Sequence, residues 1–161
     1  MPAAFIPQVL SFFLPLTRTR IPDSAVALSL IVSQLMLLAF VWLNRKQRGF
    51  WALGLGLALN FLVIAANGGW MPISPQTLLR LHPEMHLDNW TIGERLGASK
   101  DIVLPFSSMA LPMLADRIVF PPFFSRGLAY SLGDMFIALG AFLLLFSVGD
   151  PSLLGEDEVK V

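Results

Sequence analysis

The sequence predicts an all-α transmembrane fold: three or four membrane-spanning helices and a proline-rich extracytoplasmic loop folded on the membrane face. Hydrophobic residues make up 55% of the 161 residues and charged residues 14%, whereas a soluble domain carries about 25% charged residues. Three long stretches are almost free of charge, and roughly 20 such residues cross a bilayer core as a helix. We therefore expect one membrane domain, residues 1–161.

The first two predicted spans are residues 25–43 and 50–66, and neither contains a charged side chain. Asp23 or Ser24 precedes the first span. Either is a good N-cap, because its side-chain oxygen accepts a hydrogen bond from a free backbone N–H. The second span ends at Asn67-Gly68-Gly69, since Asn or Gly supplies the left-handed residue that follows many helices.

The third predicted span, residues 128–148, carries a capping signal near its start. Ser131-x-x-Asp134 matches a capping box, with Ser131 as N-cap and Asp134 at N3, so the helix proper starts there and runs about 18 residues. Trp51 and Trp70 stand at opposite ends of the second span, where indoles favour a membrane–water interface.

Two other segments are harder to assign. Residues 3–16 are apolar but short and interrupted by two prolines, so they fit either a short first span or an amphipathic segment lying in the interface. The loop at residues 67–127 contains seven prolines and charges of both signs. We interpret it as a lid on the membrane surface or a re-entrant element, with short helices at 75–81 and 89–96.

The distribution of basic residues predicts the orientation in the cell (plasma) membrane. The tight loop at residues 44–49 carries three basic side chains, and positively charged loops stay cytoplasmic. This loop and the C-terminus are therefore predicted to be cytoplasmic, and the loop at 67–127 extracytoplasmic. Arg18 and Arg20 then lie on the outer side, against the same rule.

Three motifs resemble the signature of an uncharacterised bacterial membrane protein family, catalogued only as a domain of unknown function. They are residues 59–74 (LNFLVIAANGGWMPIS), the step Leu114-Ala115-Asp116, and residues 131–140 (SLGDMFIALG). Members carry N-G-G-x-M-P-[IV]-S at the end of a helix and S-[IL]-G-D at the start of the last one. The resemblance covers roughly residues 28–146, and residues 1–16 depart from the glycine-rich hydrophobic helix that begins most members. It implies a membrane fold and no known reaction, substrate or cofactor.

Polar residues within or beside the spans are candidates for a site. Gln34 and Asn60 lie near the middle of their spans, and we expect these amides to hydrogen-bond across the helix pair. The alternative is a polar path or a ligand contact. Asn67 begins a helix stop, but the amides of such a turn can also form an anion-binding nest.

The candidate polar site comprises four side chains: Asn60, Asn67, Asp116 and Asp134. Asp116 lies in an apolar run, and ionisable groups near a membrane interior are often functional. One hypothesis is that these groups converge at the outer membrane face, with Arg117 or Arg126. The rival, which we favour, is a structural polar network that pins the loop to the helix ends, because buried polar groups normally pair.

Two further motifs are weak. His82 and His86 are spaced as zinc ligands on a helix, but Pro83 lies between them and no third ligand is specified, so we assign no metal site. Gly54-x-x-x-Ala58 is a small-residue pair that permits close helix contact, either within the chain or in a dimer.

The sequence supports two hypotheses for function and contains no recognisable catalytic set. In the first, the protein is an accessory or scaffold subunit that packs against a larger membrane complex. In the second, it is a compact membrane enzyme or a small-solute binding or transport protein with a polar site at the outer face. The lipid bilayer, other membrane subunits or a second copy are the expected partners. The zero net charge gives no basic surface for nucleic acid, and we expect no cofactor.

Overall fold

The computed structural model describes residues 22–97, 99–120 and 127–149. Within these residues the chain is mostly helical, with four α-helices: α1 (Asp23–Leu43), α2 (Gly49–Ala66), α3 (Pro75–Leu81) and α4 (Leu132–Gly149). Two of them, α1 and α2, are long and apolar enough to cross a membrane. They coincide with the first two predicted spans and begin one or two residues earlier. The predictions for residues 3–16, Arg18, Arg20, Arg126 and the C-terminal end lie outside the described residues.

The start of α1 differs from the prediction, since neither Asp23 nor Ser24 caps it. Pro22 occupies the N-cap position in an extended conformation, with no side-chain cap. Its carbonyl accepts hydrogen bonds from the N–H groups of Ala25 and Val26. The carboxylate of Asp23 instead pairs with Arg95, at 3.2 Å. The fixed φ of proline therefore sets the start of the helix and leaves Asp23 available to the rest of the fold.

The end of α2 confirms the predicted helix stop. Asn67 is the C-cap residue, and Gly68 and Gly69 follow with φ values of 73° and 91°. The N–H of Gly69 donates to the carbonyl of Ile64 at 2.9 Å. A Cβ at Gly69 would lie 2.7 Å from the Cβ of Ala27. Glycine is thus needed here both for the left-handed backbone and for close contact with α1.

The start of α4 confirms the predicted capping box. The N–H of Ser131 donates to Asp134 Oδ2 at 2.9 Å, and the N–H of Asp134 donates to Ser131 Oγ at 3.0 Å. The helix has the predicted 18 residues. The predicted span at 128–148 begins too early, because Ala129 and Tyr130 are paired in a strand.

Helices α2 and α4 run antiparallel in close contact, through glycines at both ends. A Cβ at Gly56 would overlap the carbonyl oxygen of Gly133 and lie 2.7 Å from the backbone nitrogen of Ile137. A Cβ at Gly49, near the other end of α2, would lie 2.9 Å from the backbone nitrogen of Leu144. These glycines let the two backbones approach closely, as small residues do between membrane helices.

Helix α1 packs on another face of α2. Leu37 and Val41 of α1 form one buried cluster with Phe50 and Leu57 of α2. Gly54 faces this contact, since a Cβ there would lie 2.7 Å from Val41 Cγ1. The predicted Gly54 contact therefore belongs to packing within the chain.

The described residues between α2 and α4 form a cap on one end of the helices. Its four short strands are β1 (Met71–Ile73), β2 (Asp101–Val103), β3 (Ile118–Val119) and β4 (Ala129–Tyr130). β1 pairs in parallel with β2, and Asp116 bridges Ile73 on the other edge of β1. β3 pairs antiparallel with β4. Single 3-10 turns cover Leu87–Asn89, Phe106–Ser108 and Pro112–Leu114.

Of the two short helices predicted in the cap, the first is confirmed and the second is wrong. α3 has the predicted bounds, and Ser74 caps it by accepting the Thr77 N–H at 3.0 Å. At residues 89–96 the chain instead forms the end of a 3-10 turn, a second turn and an isolated bridge between Arg95 and Ile102. Gly93 donates to the carbonyl of Val103, and the N–H of Val103 donates to the carbonyl of Glu94. Pairing with β2 replaces the helix.

The cap is attached to the helices through apolar side chains. Trp70 is only 9% exposed and packs on Val26, Ala27 and Leu30 of α1. The indole of Trp70 is therefore covered by α1, and its place at a membrane interface stays a prediction. Met71 is fully buried against Val63 of α2. The carboxyl end of α2 and the amino ends of α1 and α4 thus lie beneath the cap, and the candidate site residues lie at this end.

Candidate polar site beneath the cap

A hydrogen-bonded network joins Asn60 of α2 to the start of α4. Asn60 Nδ2 donates to Asp134 Oδ1 at 2.9 Å, and Ser131 Oγ donates to Asn60 Oδ1 at 2.8 Å. Asn60 is 7% exposed and Ser131 is fully buried. Gly133 makes room for the network, because a Cβ there would overlap the Asn60 amide. The expected hydrogen bond between helices is present for Asn60, and its partner is α4.

Gln34 does not form the hydrogen bond that we expected. It lies on the buried face of α1 and is 9% exposed. Its Oε1 atom accepts no hydrogen bond within the described part of the chain. The two mid-span amides therefore differ in role. Both the nitrogen and the oxygen of the Asn60 amide are hydrogen-bonded to the start of α4, whereas the Oε1 of Gln34 has no partner among the described residues.

The side chain of Asn67 holds a distant part of the cap. Its Nδ2 donates to the Val63 carbonyl at 2.7 Å and to the Ala110 carbonyl at 2.8 Å, while its Oδ1 accepts the Ala110 N–H at 2.9 Å. The amide thus pairs with both backbone groups of Ala110, as a neighbouring strand would. These contacts give Asn67 a structural role beyond the helix stop, because they tie the end of α2 to residue 110 of the cap.

Lys100 and Asp116 form an ion pair across β1. Lys100 Nζ lies 2.7 Å from Asp116 Oδ2 and 3.4 Å from Asp101 Oδ1. The main chains of both residues are tied to β1, because the Lys100 carbonyl accepts the N–H of Met71 and the Asp116 N–H donates to the carbonyl of Pro72. Asp116 is 3% exposed, and its Oδ1 has no hydrogen-bond partner among the residues that the structure describes.

Burial and charge act in opposite directions on this pair. Burial raises the pKa of Asp116 to about 7, although the Lys100 ammonium opposes the shift and Asp101 and Asp134 add to it. For Lys100, burial favours the neutral amine, but the charges of Asp116 and Asp101 outweigh it and raise its pKa. The side chain of Lys100 is 43% exposed, so its charge is partly hydrated. Lys100 is therefore an ammonium at neutral pH, and Asp116 can take up a proton near pH 7.

The predicted site residues converge in part. The charge of Asp134 acts on both Lys100 and Asp116, so the two aspartates lie within electrostatic reach of one ammonium. Asn60 joins through Asp134, whereas Asn67 is engaged with Ala110. Arg117 is not the partner of Asp116; its Nη1 donates to Met113 Sδ.

Comparison with known proteins gives a family but no activity. The model of a family of unknown function, DUF5317, matches residues 1–146. The chain belongs to the DUF5317 family. It matches no curated protein and no solved structure at a significant level.

The DUF5317 match confirms the resemblance to a family of unknown function and extends it. The motifs indicated a likeness from about residue 28, whereas the family model begins at residue 1. Residues 1–16, which we expected to depart from the family pattern, therefore lie inside the match. The polar network, the Asn67 contact and the Lys100–Asp116 pair all lie within it as well.

The histidines of this DUF5317 chain lie in an exposed turn away from the network. His82 Nδ1 is 3.4 Å from Glu84 Oε1, and the His86 N–H donates to Asn89 Oδ1. Within the described residues no three histidine, cysteine or carboxylate side chains are placed to hold a metal ion. The two histidines thus serve local contacts in the turn.

Sequence reasoning missed Lys100 as the partner of Asp116. A detectable signal was present, because it is the one lysine between Lys46 and Lys160 and it precedes an aspartate in an otherwise apolar stretch. Adjacency in sequence drew attention to Arg117 instead. Ser131 was predicted as a cap, but its hydrogen bond to Asn60 depends on the packing of α4 against α2 and has no sequence signal.

Proposed function

We propose that this DUF5317 protein is a small integral membrane protein in which α1, α2 and α4 cross the bilayer, and that it serves as an accessory subunit of a larger membrane complex. The character of the helices supports embedding in lipid. In the apolar 18-residue stretch of each helix, only 33% of α1 and 39% of α2 is buried within the chain. A helix that is apolar all round and yet largely uncovered suits a bilayer better than the core of a soluble protein.

The contacts of α4 support a third span. Its residues lie along α2 from Asn60, which meets Gly133, down to Gly49, which meets Leu144. A helix of 18 residues is about 27 Å long, close to the thickness of a bilayer core. If α2 crosses the membrane, α4 must cross beside it in the opposite direction.

The residues around the loop at 44–48 support a cytoplasmic position for it. Three basic side chains lie in this loop, and positive loops stay inside. Trp42 and Trp51, at the same end of the helices, are 62% and 65% exposed, as expected at a membrane interface. The guanidinium of Arg45 lies 4.2 Å from the Trp42 ring. The cap is then extracytoplasmic.

The observation that carries the subunit role is the contrast between the hydrogen-bonded contact of α2 with α4 and the uncovered apolar face of α4. The polar groups between α2 and α4 are hydrogen-bonded to one another. A cavity in the cap, beside Trp90 and Arg95, has about 150 Å³, below the roughly 300 Å³ of small ligand pockets. On α4, by contrast, Phe142 and Phe146 are 61% and 58% exposed and stack at 6.0 Å. Exposed aromatic side chains are typical anchors of protein interfaces.

Native mass spectrometry of the protein, gently extracted from its own membrane, tests this role. We expect other polypeptides bound at a fixed ratio. The double variant Phe142→Ala/Phe146→Ala should lose them, whereas the matched α1 variant Leu28→Ala/Leu35→Ala should retain them. A protein that emerges alone from wild-type membranes, without partners at any ratio, contradicts the subunit role.

A second candidate, a compact enzyme or solute-binding protein, has one specific observation in its favour. Asp116 is almost fully buried, yet its Oδ1 accepts no hydrogen bond, which leaves an acceptor beside the Lys100 ammonium. In the same spectra this candidate predicts a retained small molecule and no protein partner. The small molecule should be lost from Asp116→Asn and kept by Asp88→Asn, which alters an exposed carboxylate.

A further inference from the structure

A short uncharged segment of the cap lies beside the last turn of α2. We name residues 106–114 the wedge. Leu114 packs into the buried cluster of Val63, Ile64 and Met71, and Ala110 is held at both backbone groups by Asn67. The second half of the wedge is thus at the same level along the helix axis as residues 63–67, and not above the helix ends.

Part of the backbone of the wedge, around Ala110 and Pro112, is paired with protein groups. Both polar groups of Ala110 bond to Asn67. The Leu111 carbonyl accepts the N–H of Leu114, the Pro112 carbonyl accepts the N–H of Ala115, and Pro112 has no N–H. Such pairing lowers the cost of placing irregular backbone next to lipid, because lipid chains offer no hydrogen-bond partners.

Three large apolar side chains of the wedge are exposed. Phe106, Leu111 and Met113 are 50%, 46% and 63% exposed. Leu111 is in the left-handed conformation, with φ 56° and ψ 53°, and among the described residues it is the one non-glycine with positive φ. That conformation is unfavourable for an L-residue and persists only where the surroundings hold it.

We propose that the wedge inserts into the outer leaflet of the bilayer, with Phe106, Leu111 and Met113 among the upper parts of the acyl chains. The occupant of this apolar surface is lipid. Residues 102–115 contain no charge, and Leu62 of α2 and Leu132 of α4, toward the same end of the helices, are exposed as well. This inference rests on the proposed membrane embedding and deepens it, since it assigns a lipid contact to the non-helical cap.

Spin labels at single cysteines test the insertion, and the chain contains no native cysteine to remove. The test labels are at Phe106→Cys and Met113→Cys, in protein reconstituted into phosphatidylcholine vesicles. The reference labels are at Leu55→Cys, on the exposed face of α2, and at Asp88→Cys, in an exposed turn of the cap. The ratio of collisions with oxygen to collisions with a water-soluble nickel chelate reports depth. We expect both wedge labels to give a ratio severalfold above that at Asp88 and no higher than that at Leu55.

The outcomes separate this inference from the membrane proposal. If the wedge labels give the same collision ratio as the label at Asp88 while the label at Leu55 is shielded from the chelate, the insertion is wrong and the embedding of α2 stands. If the label at Leu55 also gives the ratio found at Asp88, both proposals are wrong.

Asn67 is the positioning residue in this arrangement. Asn67→Ala should shift the Met113 label toward water and leave the Leu55 label unchanged. Asn44→Ala is a matched control, because Asn44 also donates to the carbonyl four residues earlier, at 2.7 Å, but at the opposite end of α2 and without a cap contact. A Met113 label that stays at its original depth in Asn67→Ala overturns the role of Asn67.

Discussion

At the scale of single residues, the cap depends on charges that compensate one another in a small volume. One ammonium, Lys100, lies close to Asp116 and Asp101 and within reach of Asp134. Asp116 alone among them is almost completely buried, and one of its oxygens has no donor. Removing one partner of a buried pair costs more than the pair contributes, because the remaining charge is left uncompensated.

Asp116 should make the stability of the protein depend on pH. Its pKa in the folded chain is about 7, above the ordinary value of 3.8. Folding therefore favours the protonated carboxyl: its contribution to stability is fully present below about pH 4 and is lost as pH rises through 7. The difference is on the order of a few kcal/mol. Thermal unfolding in detergent micelles between pH 4 and 8 measures it.

Asp116→Asn should remove this dependence, because the amide resembles the protonated carboxyl. Asp88→Asn, at an exposed position, should retain the wild-type dependence of stability on pH. If stability depends on pH equally in wild type and in Asp116→Asn, the Lys100 ammonium keeps Asp116 ionised between pH 4 and 8, and the pKa of Asp116 is not raised.

The two buried amides should respond in opposite ways to an apolar substitution. Asn60→Leu breaks the bonds to Asp134 and Ser131 and should lower the free energy of unfolding by about 1–3 kcal/mol, since both partners are left unsatisfied. Gln34→Met replaces an amide whose Oε1 has no partner and should be neutral or stabilising. Chemical unfolding of both variants in the same detergent compares them. A larger loss for Gln34→Met than for Asn60→Leu contradicts these roles.

At the scale of elements, backbone contact between α2 and α4 determines their packing. Gly56→Ala should destabilise the protein by more than about 2 kcal/mol, because the new methyl group would meet the backbone of α4 and the helices must separate. Gly54→Ala is the control: its methyl group meets only the Val41 side chain and should cost less. Thermal melting of the two variants ranks them, and an equal or larger effect of Gly54→Ala contradicts the close contact.

Local signals made the helices predictable, and their absence explains the errors in the cap. The capping box at Ser131 and the turn at Asn67 each depend on neighbours in sequence, and both are confirmed. The strands have only two or three residues and exist through pairing of Met71 with Asp101, 30 residues apart. Residues 89–96 have no helix for the same reason, since they pair with β2. Likewise, only tertiary packing brings Lys100 to Asp116.

At the scale of the whole molecule, the chain is a helix bundle closed at one end by a cap. The buried polar groups are concentrated at that end, where Asn60, Ser131 and Asp134 join α2 to α4 and Lys100 and Asp116 join two edges of β1. The opposite end carries the basic loop and two exposed tryptophans. The proposed orientation, with the basic loop inside and the cap outside, follows this asymmetry, and the basic residues alone suggested it from sequence.

Labelling of single cysteines in intact cells tests this arrangement most directly. A membrane-impermeant maleimide should react with Asp88→Cys, in the cap, in intact cells. It should react with Lys46→Cys, in the loop between α1 and α2, only after the cells are permeabilised. If Lys46→Cys reacts without permeabilisation, or if the protein is recovered in the soluble fraction, α1 and α2 do not hold the loop and the cap on opposite sides of a membrane as proposed.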